Sequence, residues 1–186
     1  MLHSAIMKSV RRRLARLARD ERGVSAVEFA MLLPLMVTLY LGGVEVSQGI
    51  SIDRKVTLTA RTVADLVSQS ASINNAGMNS VLQAANAVLS PYPTTNAKVT
   101  VSVLKIDANS KVTVEWSDTL NGTARAKGST VTIPGALVVP NTSLVWGEAS
   151  YDYKPVVGYV VTGNLNLNDQ IFMRPRLSET ITRTAS

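Results

Sequence analysis

An apolar stretch dominates the first third of the chain. Residues 29–44 carry no charge, residues 24–27 before them are also uncharged, and only Glu28 interrupts the stretch. As one helix, residues 24–44 extend roughly 31 Å at about 1.5 Å per residue. This length matches the hydrocarbon thickness of a bilayer. The pattern therefore predicts a transmembrane helix over residues 24–44.

Helical periodicity continues after the apolar stretch. Apolar residues share one helical face, whereas charged residues fill the others; the apolar positions are Ile52, Val56, Ala60, Val63 and Val67. We therefore expect an amphipathic juxtamembrane helix over 45–71 that continues the first. A second helix, capped by Asn74 or Asn75 and ended by Pro91, is predicted from another apolar face, formed by Met78, Val81, Leu82, Ala85, Val88 and Leu89.

The pattern changes to a period of two after Pro93. Two alternating runs, 99–103 and 112–116, flank the turn-forming segment 107–110 and predict a β-hairpin. Further strands are expected at 131–133, 143–153, 156–162 and 177–183, with Trp116, Trp146, Tyr151 and Tyr153 as packing residues. The segment 119–130 is polar and predicts a mobile loop. The fold class is thus α+β, with residues 72–186 forming a small antiparallel-sheet domain packed on helices.

Positive charge is concentrated before the apolar stretch. The chain has a net charge of +6, and residues 1–23 contain seven basic residues against Asp20 and Glu21, so five of these six charges lie there. The positive-inside bias places this basic end in the cytoplasm and the residues after the helix outside. Charges in the remainder are dispersed, which argues against binding of nucleic acid.

The composition provides few groups for catalysis or metal binding. The chain has no cysteine, and its single histidine, His3, lies in the basic segment. We therefore predict no metal site, no cofactor and no enzymatic activity. The segment 122–130 lacks a P-loop, because Lys127 precedes Gly128 instead of following a glycine. Asn121 and Asn141 fit the glycosylation pattern, although turns alone favour asparagine at both positions.

Glu28 requires an explanation of its own. A carboxylate at the bilayer centre costs roughly 2.5–3.5 kcal/mol and less near an interface, so Glu28 is either functional or placed among lipid headgroups. It follows Gly23 by five residues and precedes Phe29. Three interpretations of the N-terminal segment remain: a permanent signal anchor, a secretory peptide removed near Gly49, or a leader removed before the apolar helix.

The sequence around Glu28 resembles a known processing site. Gly-Val-Ser-Ala-Val-Glu-Phe, residues 23–29, is similar to the prepilin peptidase site of type IV pilins, and Ala-Val-Glu-Phe-Ala with Pro34 resembles the TadE-like pseudopilins of Tad (Flp-type) pili. Residues 53–67 are similar to the juxtamembrane helix of that family, and 151–155 to a late aromatic strand. The resemblance implies a pilin-like fold, a basic prepilin-type leader over residues 1–23, and cleavage between Gly23 and Val24.

The resemblance also implies a function. The chain is too long for the major pilin and too short for the larger relatives with a von Willebrand-type domain, so it resembles a minor pilin-like subunit required for Tad pilus assembly and surface adherence. The implied partners are prepilin peptidase, other minor pilins, the major pilin, the inner-membrane assembly platform and membrane lipids. The implied location is the bacterial inner membrane, with a periplasmic domain, and then the pilus. The alternative is a permanently anchored single-pass envelope protein with a periplasmic ligand-binding or scaffolding domain.

The chemistry of the helix residues predicts roles in assembly after such a cleavage. The ammonium group of a new N-terminus at Val24 would pair with Glu28 of an adjacent subunit, with Phe29 beside it. Ala26 and Ala30 form a small-xxx-small pair that allows close helix packing. Pro34 removes one backbone hydrogen bond and either bends or loosens the helix locally or is simply a tolerated membrane proline.

Overall fold

The computed structural model describes residues 21–155 and 163–184. Its contacts divide the chain into two units, Met1–Val44 and Glu45–Ser186. The described residues of the first unit are helical, and those of the second form helices and an antiparallel sheet, which confirms the α+β class. The elements are α1 (Glu21–Ser68), β1 (Ser72–Ile73), α2 (Asn75–Leu89), β2 (Ala97–Ile106), β3 (Val112–Leu120), β4 (Thr142–Tyr153), β5 (Leu165–Met173) and β6 (Thr182–Arg183).

Both helices of the second unit bury the faces that the periodicity predicted. All five apolar positions identified between residues 52 and 67 are buried on α1, which ends at Ser68. In α2, the side chain of Asn74 caps the helix by accepting a hydrogen bond from the backbone N–H of Gly77 at 2.8 Å. Its buried residues are Met78, Val81, Ala85 and Leu89. Burial of one stripe per helix therefore holds both helices against the sheet.

The sheet is built around the predicted hairpin. Its strand order is β3-β2-β4-β5, and every neighbouring pair is antiparallel. The β2–β3 turn is closed by Asp107, whose Oδ1 accepts hydrogen bonds from the backbone N–H groups of Asn109 and Lys111, each at 2.8 Å. Ser110 adopts a positive φ of 63° in this turn. Asn121 and Asn141 also have positive φ values, of 55° and 60°, in agreement with the turn preference of asparagine.

The two faces of the sheet contact different parts of the second unit. On one face, apolar residues of β2 and β4 join the buried faces of α1 and α2 in the main core. Gly147 lies at this interface, where a Cβ atom would come within 2.6 Å of the backbone oxygen of Ala60. On the other face, a smaller core includes Leu104, Val114 and Trp146, and Ile133 of the β3–β4 connection covers it. Thus helices cover one face, and an irregular connection covers part of the other.

Tyr153 attaches the end of β4 to the part of α1 in the second unit. Its hydroxyl donates to the backbone oxygen of Glu45 at 3.2 Å and lies 3.4 Å from Oε1 of Gln48. Desolvation is the main cause that raises the pKa of Tyr153 above its ordinary value, and the charges of Glu45 and Tyr92 add to it. The hydroxyl therefore remains a hydrogen-bond donor well into the alkaline range.

Several strand predictions were wrong. Residues 131–133 form no strand, because Thr130 makes only an isolated bridge with Thr113 and Ile133 turns into the smaller core. Of 177–183, only β6 is extended; it pairs with β1 in parallel. The predicted strand at 156–162 lies outside the described residues.

The sheet also contains a strand that the sequence did not predict. β5 pairs with β4 over its whole length, from Val145↔Met173 to Tyr153↔Leu165. Its apolar and polar residues alternate only at the start, and Asn166, Asn168 and Asp169 are typical of turns. The backbone pairing with β4 outweighs these local preferences.

The segment 119–130, predicted as a mobile polar loop, begins inside β3. Its residue Gly128 donates a backbone hydrogen bond to the carbonyl oxygen of Val114 at 2.7 Å, so the segment is attached to the sheet.

Candidate functional site on the N-terminal helix

The predicted site residues lie together in the first unit on the exposed start of α1. Every residue from 23 to 37 is exposed in the isolated chain, and the exposed fractions of Val24 and Phe29 are both 57%. A continuous apolar surface of this kind normally lies in a membrane or against other apolar helices. By length and composition, the helical stretch Gly23–Ser68 is the one described helix that is able to cross a membrane.

Helical geometry separates the acidic and small residues. Ala26, Ala30 and Pro34 are spaced by four residues and therefore share one side of α1. Glu28 lies on nearly the opposite side, about 160° from Ala26 at roughly 100° per residue. Val24 precedes Glu28 by about one turn and lies on the same side. The helix therefore presents a small-residue side for close packing and a separate side that carries the carboxylate.

Packing among the residues that the structure describes does not require glycine at position 23. A Cβ atom built on Gly23 would meet no atom within 4 Å. Glycine does allow close approach of another molecule to the backbone, because it has no side chain. A requirement for glycine here would thus arise from the approach of another molecule to the backbone, and not from packing among the described residues.

Pro34 is accommodated inside α1, which remains helical on both sides of it. The missing N–H of Pro34 removes one hydrogen bond of the helical ladder. One turn later, Thr38 Oγ1 donates to the carbonyl oxygen of Pro34 at 2.8 Å. This bond gives the Thr38 hydroxyl a partner inside an apolar segment.

A second polar feature lies in the sheet of the second unit and was missed by sequence reasoning. Arg125 forms a two-point ion pair with Glu148, one contact of which measures 2.8 Å from Nη2 to Oε1. The guanidinium carbon lies 3.9 Å from the ring centroid of Trp146, a distance typical of a cation–π contact. Arg125 and Glu148 are far apart in sequence, and the strand β5 beside Glu148 was not predicted. No local signal revealed this cluster.

Within residues 21–155 and 163–184, no group of three or more histidine, aspartate or glutamate side chains is positioned to hold a metal ion. The two candidate functional features are the Glu28 carboxylate in the apolar helix and the Arg125–Glu148 cluster on the sheet.

These features define a protein with an exposed apolar N-terminal helix that leads into an α+β domain. Residues 23–65 match the family model described as TadE-like protein. This part of the chain is TadE-like, which confirms the predicted resemblance over residues 23–65, whereas the resemblance of residues 151–155 stays a prediction. The match covers less than half of the chain and ends within α1, before the sheet. No curated protein and no solved structure matched the chain in these comparisons.

Proposed function

We propose that the protein is a minor pilin-like subunit of a Tad pilus, with a structural and not a catalytic role. The observation that carries this proposal is the TadE-like match over residues 23–65, which falls on the exposed apolar helix and includes Glu28. The matched segment begins at Gly23, the residue before the proposed cleavage point. An apolar helix with one acidic side chain is suited to assembly among similar helices, where the acid finds a partner.

The proposed topology places the basic leader in the cytoplasm and the sheet domain in the periplasm. It rests on the excess of arginine before the apolar stretch and on the positive-inside bias. In this arrangement the proposed partners are prepilin peptidase, the assembly platform, the major pilin and other minor pilins, with lipids around the helix before assembly. The subunit then supports pilus assembly and, through it, surface adherence.

Processing by prepilin peptidase provides the direct test. We expect the native mature chain to begin at Val24, with residues 1–23 removed. Replacement of Gly23 by leucine places a side chain where the peptidase must approach the backbone, so the full-length precursor should accumulate in the membrane. The N-terminus is determined by intact mass and N-terminal sequencing of protein purified from cells with active peptidase.

Gly43→Leu is the matched control for this experiment. Gly43 lies in the same helix, and a Cβ atom there also meets nothing within 4 Å. This variant should be processed as efficiently as the unmodified chain. A native N-terminus at Met1 would contradict the proposal and favour the permanently anchored envelope protein. Cleavage near Gly49 would instead indicate a secretory signal peptide.

A further inference from the structure

The exposed apolar surface of α1 continues past Val44, the last residue of the predicted transmembrane stretch. In the second unit, Val46 and Ile50 have exposed fractions of 49% and 50%. They share one side of the helix with Asp53, since the three residues are spaced by four and three positions. Asp53 is exposed and charged. On this side of α1, the change from apolar to acidic side chains therefore falls between Ile50 and Asp53.

The start of β5 shows the same change. Leu165 is 41% exposed, and Leu167 and then Asp169 follow it on the same face of the strand. Leu165 lies near the start of the second unit, because its partner in the sheet, Tyr153, donates a hydrogen bond from its hydroxyl to the backbone oxygen of Glu45 at 3.2 Å. Both α1 and β5 thus change from apolar to acidic side chains in the direction away from Glu45.

The apolar residues of α1 and β5 enclose one groove. Val46 and Ile50 of the helix and Leu165 and Leu167 of the strand line this α1–β5 groove, which has a volume of about 260 Å³. Its lining also includes a glycine of α1 and the Tyr153 ring. The hydrogen bond of Tyr153 to α1 and its pairing with β5 hold the two sides together. The groove is therefore formed before any partner arrives, which lowers the entropic cost of contact.

Gly49 keeps the α1–β5 groove open. It lines the groove beside Tyr153, and a Cβ atom built on it would lie 3.6 Å from a carbon of the Tyr153 ring. That distance is ordinary van der Waals contact, so packing would tolerate a small side chain here. A larger side chain would extend into the groove and fill it. Glycine at this position thus preserves a concave apolar surface.

Charge does not decide what the α1–β5 groove binds. Glu45 also lines it but is buried, so its carboxylate is not part of the open surface. The exposed charged residues beside the groove are Asp53 and Arg54 on α1 and Asp152 and Lys154 at the end of β4, with two charges of each sign. The distinguishing property of this surface is therefore its apolar area, which is costly to leave in water.

We propose that the partner of the α1–β5 groove is the lipid bilayer, at the level of the headgroups and the first acyl carbons. This inference rests on the proposed function, in which residues 24–44 span the hydrocarbon. Residues 45–50 extend about 9 Å as a helix at 1.5 Å per residue, and the headgroup region on each side of the hydrocarbon is roughly 5–8 Å thick. Val46 and Ile50 therefore fall at headgroup depth, where interfacial helices bury apolar side chains.

The shared pattern of helix and strand favours lipid over a protein partner. A bilayer surface is a plane, so it requires the change from apolar to charged side chains at a similar level on every element that it contacts. Asp53 on α1 and Asp169 on β5 mark such a level, each directly after the apolar residues of its own element. The groove also follows the apolar stretch directly in the chain, so the lipid contact of that stretch extends onto the sheet domain.

Spin labelling tests this contact. The chain has no cysteine, so Leu165→Cys accepts a single nitroxide label at the edge of the groove. The full chain is placed in phosphatidylcholine nanodiscs, and electron paramagnetic resonance measures collisions of the label with oxygen, which concentrates in lipid, and with a water-soluble nickel chelate. We expect high accessibility to oxygen and low accessibility to nickel. Partial replacement of the lipid by phosphatidylglycerol should change neither value, because the charges beside the groove balance.

Leu177→Cys is the matched control. Leu177 is also an exposed leucine, at 71%, but the residue before it, Arg176, donates its backbone N–H to the carbonyl oxygen of Ser68 at the end of α1, at 2.8 Å. This label should collide with nickel several-fold more often than the Leu165→Cys label. Circular dichroism of both variants checks that they are folded. Ile50→Cys, on the other side of the groove, repeats the measurement if Leu165→Cys loses its fold.

A label in the apolar stretch, at Leu35→Cys, separates this inference from the proposed function. Lipid exposure at Leu35→Cys with high nickel accessibility at Leu165→Cys would refute the groove contact and leave the membrane-spanning stretch standing. Low accessibility of Leu165→Cys to both reagents would also refute it, because protein and not lipid would then cover the groove. Nickel accessibility at Leu35→Cys itself would contradict the proposed function, and the inference with it.

Discussion

Glu28 is the only charged residue between Val24 and Val44, and its side chain is exposed in the isolated chain. Replacement by glutamine retains shape and hydrogen-bonding capacity but removes the charge. A simple membrane anchor should tolerate this change, since insertion becomes less costly. An assembling subunit should not, because the Val24 ammonium of a neighbour would lose its partner among apolar helices. We therefore expect normal cleavage and membrane abundance but fewer pili, counted by electron microscopy and by recovery in sheared fractions.

Asp53→Asn is the control for Glu28→Gln. Asp53 is an exposed acidic residue on the same helix, but it lies beyond the apolar stretch and should tolerate loss of its charge. If both variants produce unchanged piliation in a strain whose deletion abolishes pili, Glu28 has no pairing role and its carboxylate lies among headgroups. The effect on assembly, and not the effect on membrane insertion, thus separates the two roles of this residue.

Residue-level prediction from sequence is possible where the information is local, and the roles of the N-terminal residues stay predictions. Gly23, Glu28 and Phe29 occur within seven positions, so their spacing is visible without a structure. Arg125 and Glu148 are 23 positions apart, and their contact requires the β3–β4 connection to fold back across the sheet. The Trp146 ring that supports Arg125 was predicted only as a packing residue. The polar cluster therefore depends on tertiary contacts that no local pattern encodes.

At the scale of elements, the contact between α1 and β4 depends on small residues. Ala60 and Ala64 are buried on α1, and a Cβ atom at Gly147 would lie 2.6 Å from the backbone oxygen of Ala60 and 2.9 Å from Cβ of Ala64. Gly147→Ala should therefore force helix and strand apart and destabilise the domain by about 1–3 kcal/mol. The expected decrease in unfolding temperature is roughly 3–10 °C, measured by circular dichroism of the full chain in nanodiscs.

Gly135→Ala is a suitable comparison, since a Cβ atom there meets nothing within 4 Å. This variant should unfold within about 2 °C of the unmodified chain. If the two alanine variants have equal stability, the helix and strand are not in the close contact that the structure shows. In that case the main core would tolerate a larger separation of α1 from the sheet.

The elements differ in how far the sequence encodes them. The faces of α1 and α2 and the β2–β3 hairpin arise from periodicity and a short turn, so they were predicted correctly. β1 and β6 are two residues long each and pair in parallel across more than a hundred positions. Contacts between residues far apart in sequence stabilise the pairing of β1 with β6, such as the hydrogen bond from Trp116 Nε1 to the carbonyl oxygen of Ile181 at 2.6 Å. Such short pairings carry no sequence pattern and follow from the packing of the rest of the domain.

At the scale of the whole molecule, the charge distribution predicts the topology. Most of the net positive charge precedes the apolar helix, so residues after Glu45 should lie outside the cytoplasm. Alkaline phosphatase, which is active only outside the cytoplasm, should be active when fused after Ser186, and β-galactosidase at the same position should be inactive. Replacement of Arg11, Arg12 and Arg13 by glutamate removes three of the seven basic residues and should reduce the phosphatase signal, because orientation follows the count of Lys and Arg near the helix. The opposite pair of reporter activities would place the sheet domain in the cytoplasm, where a pilus subunit could not act.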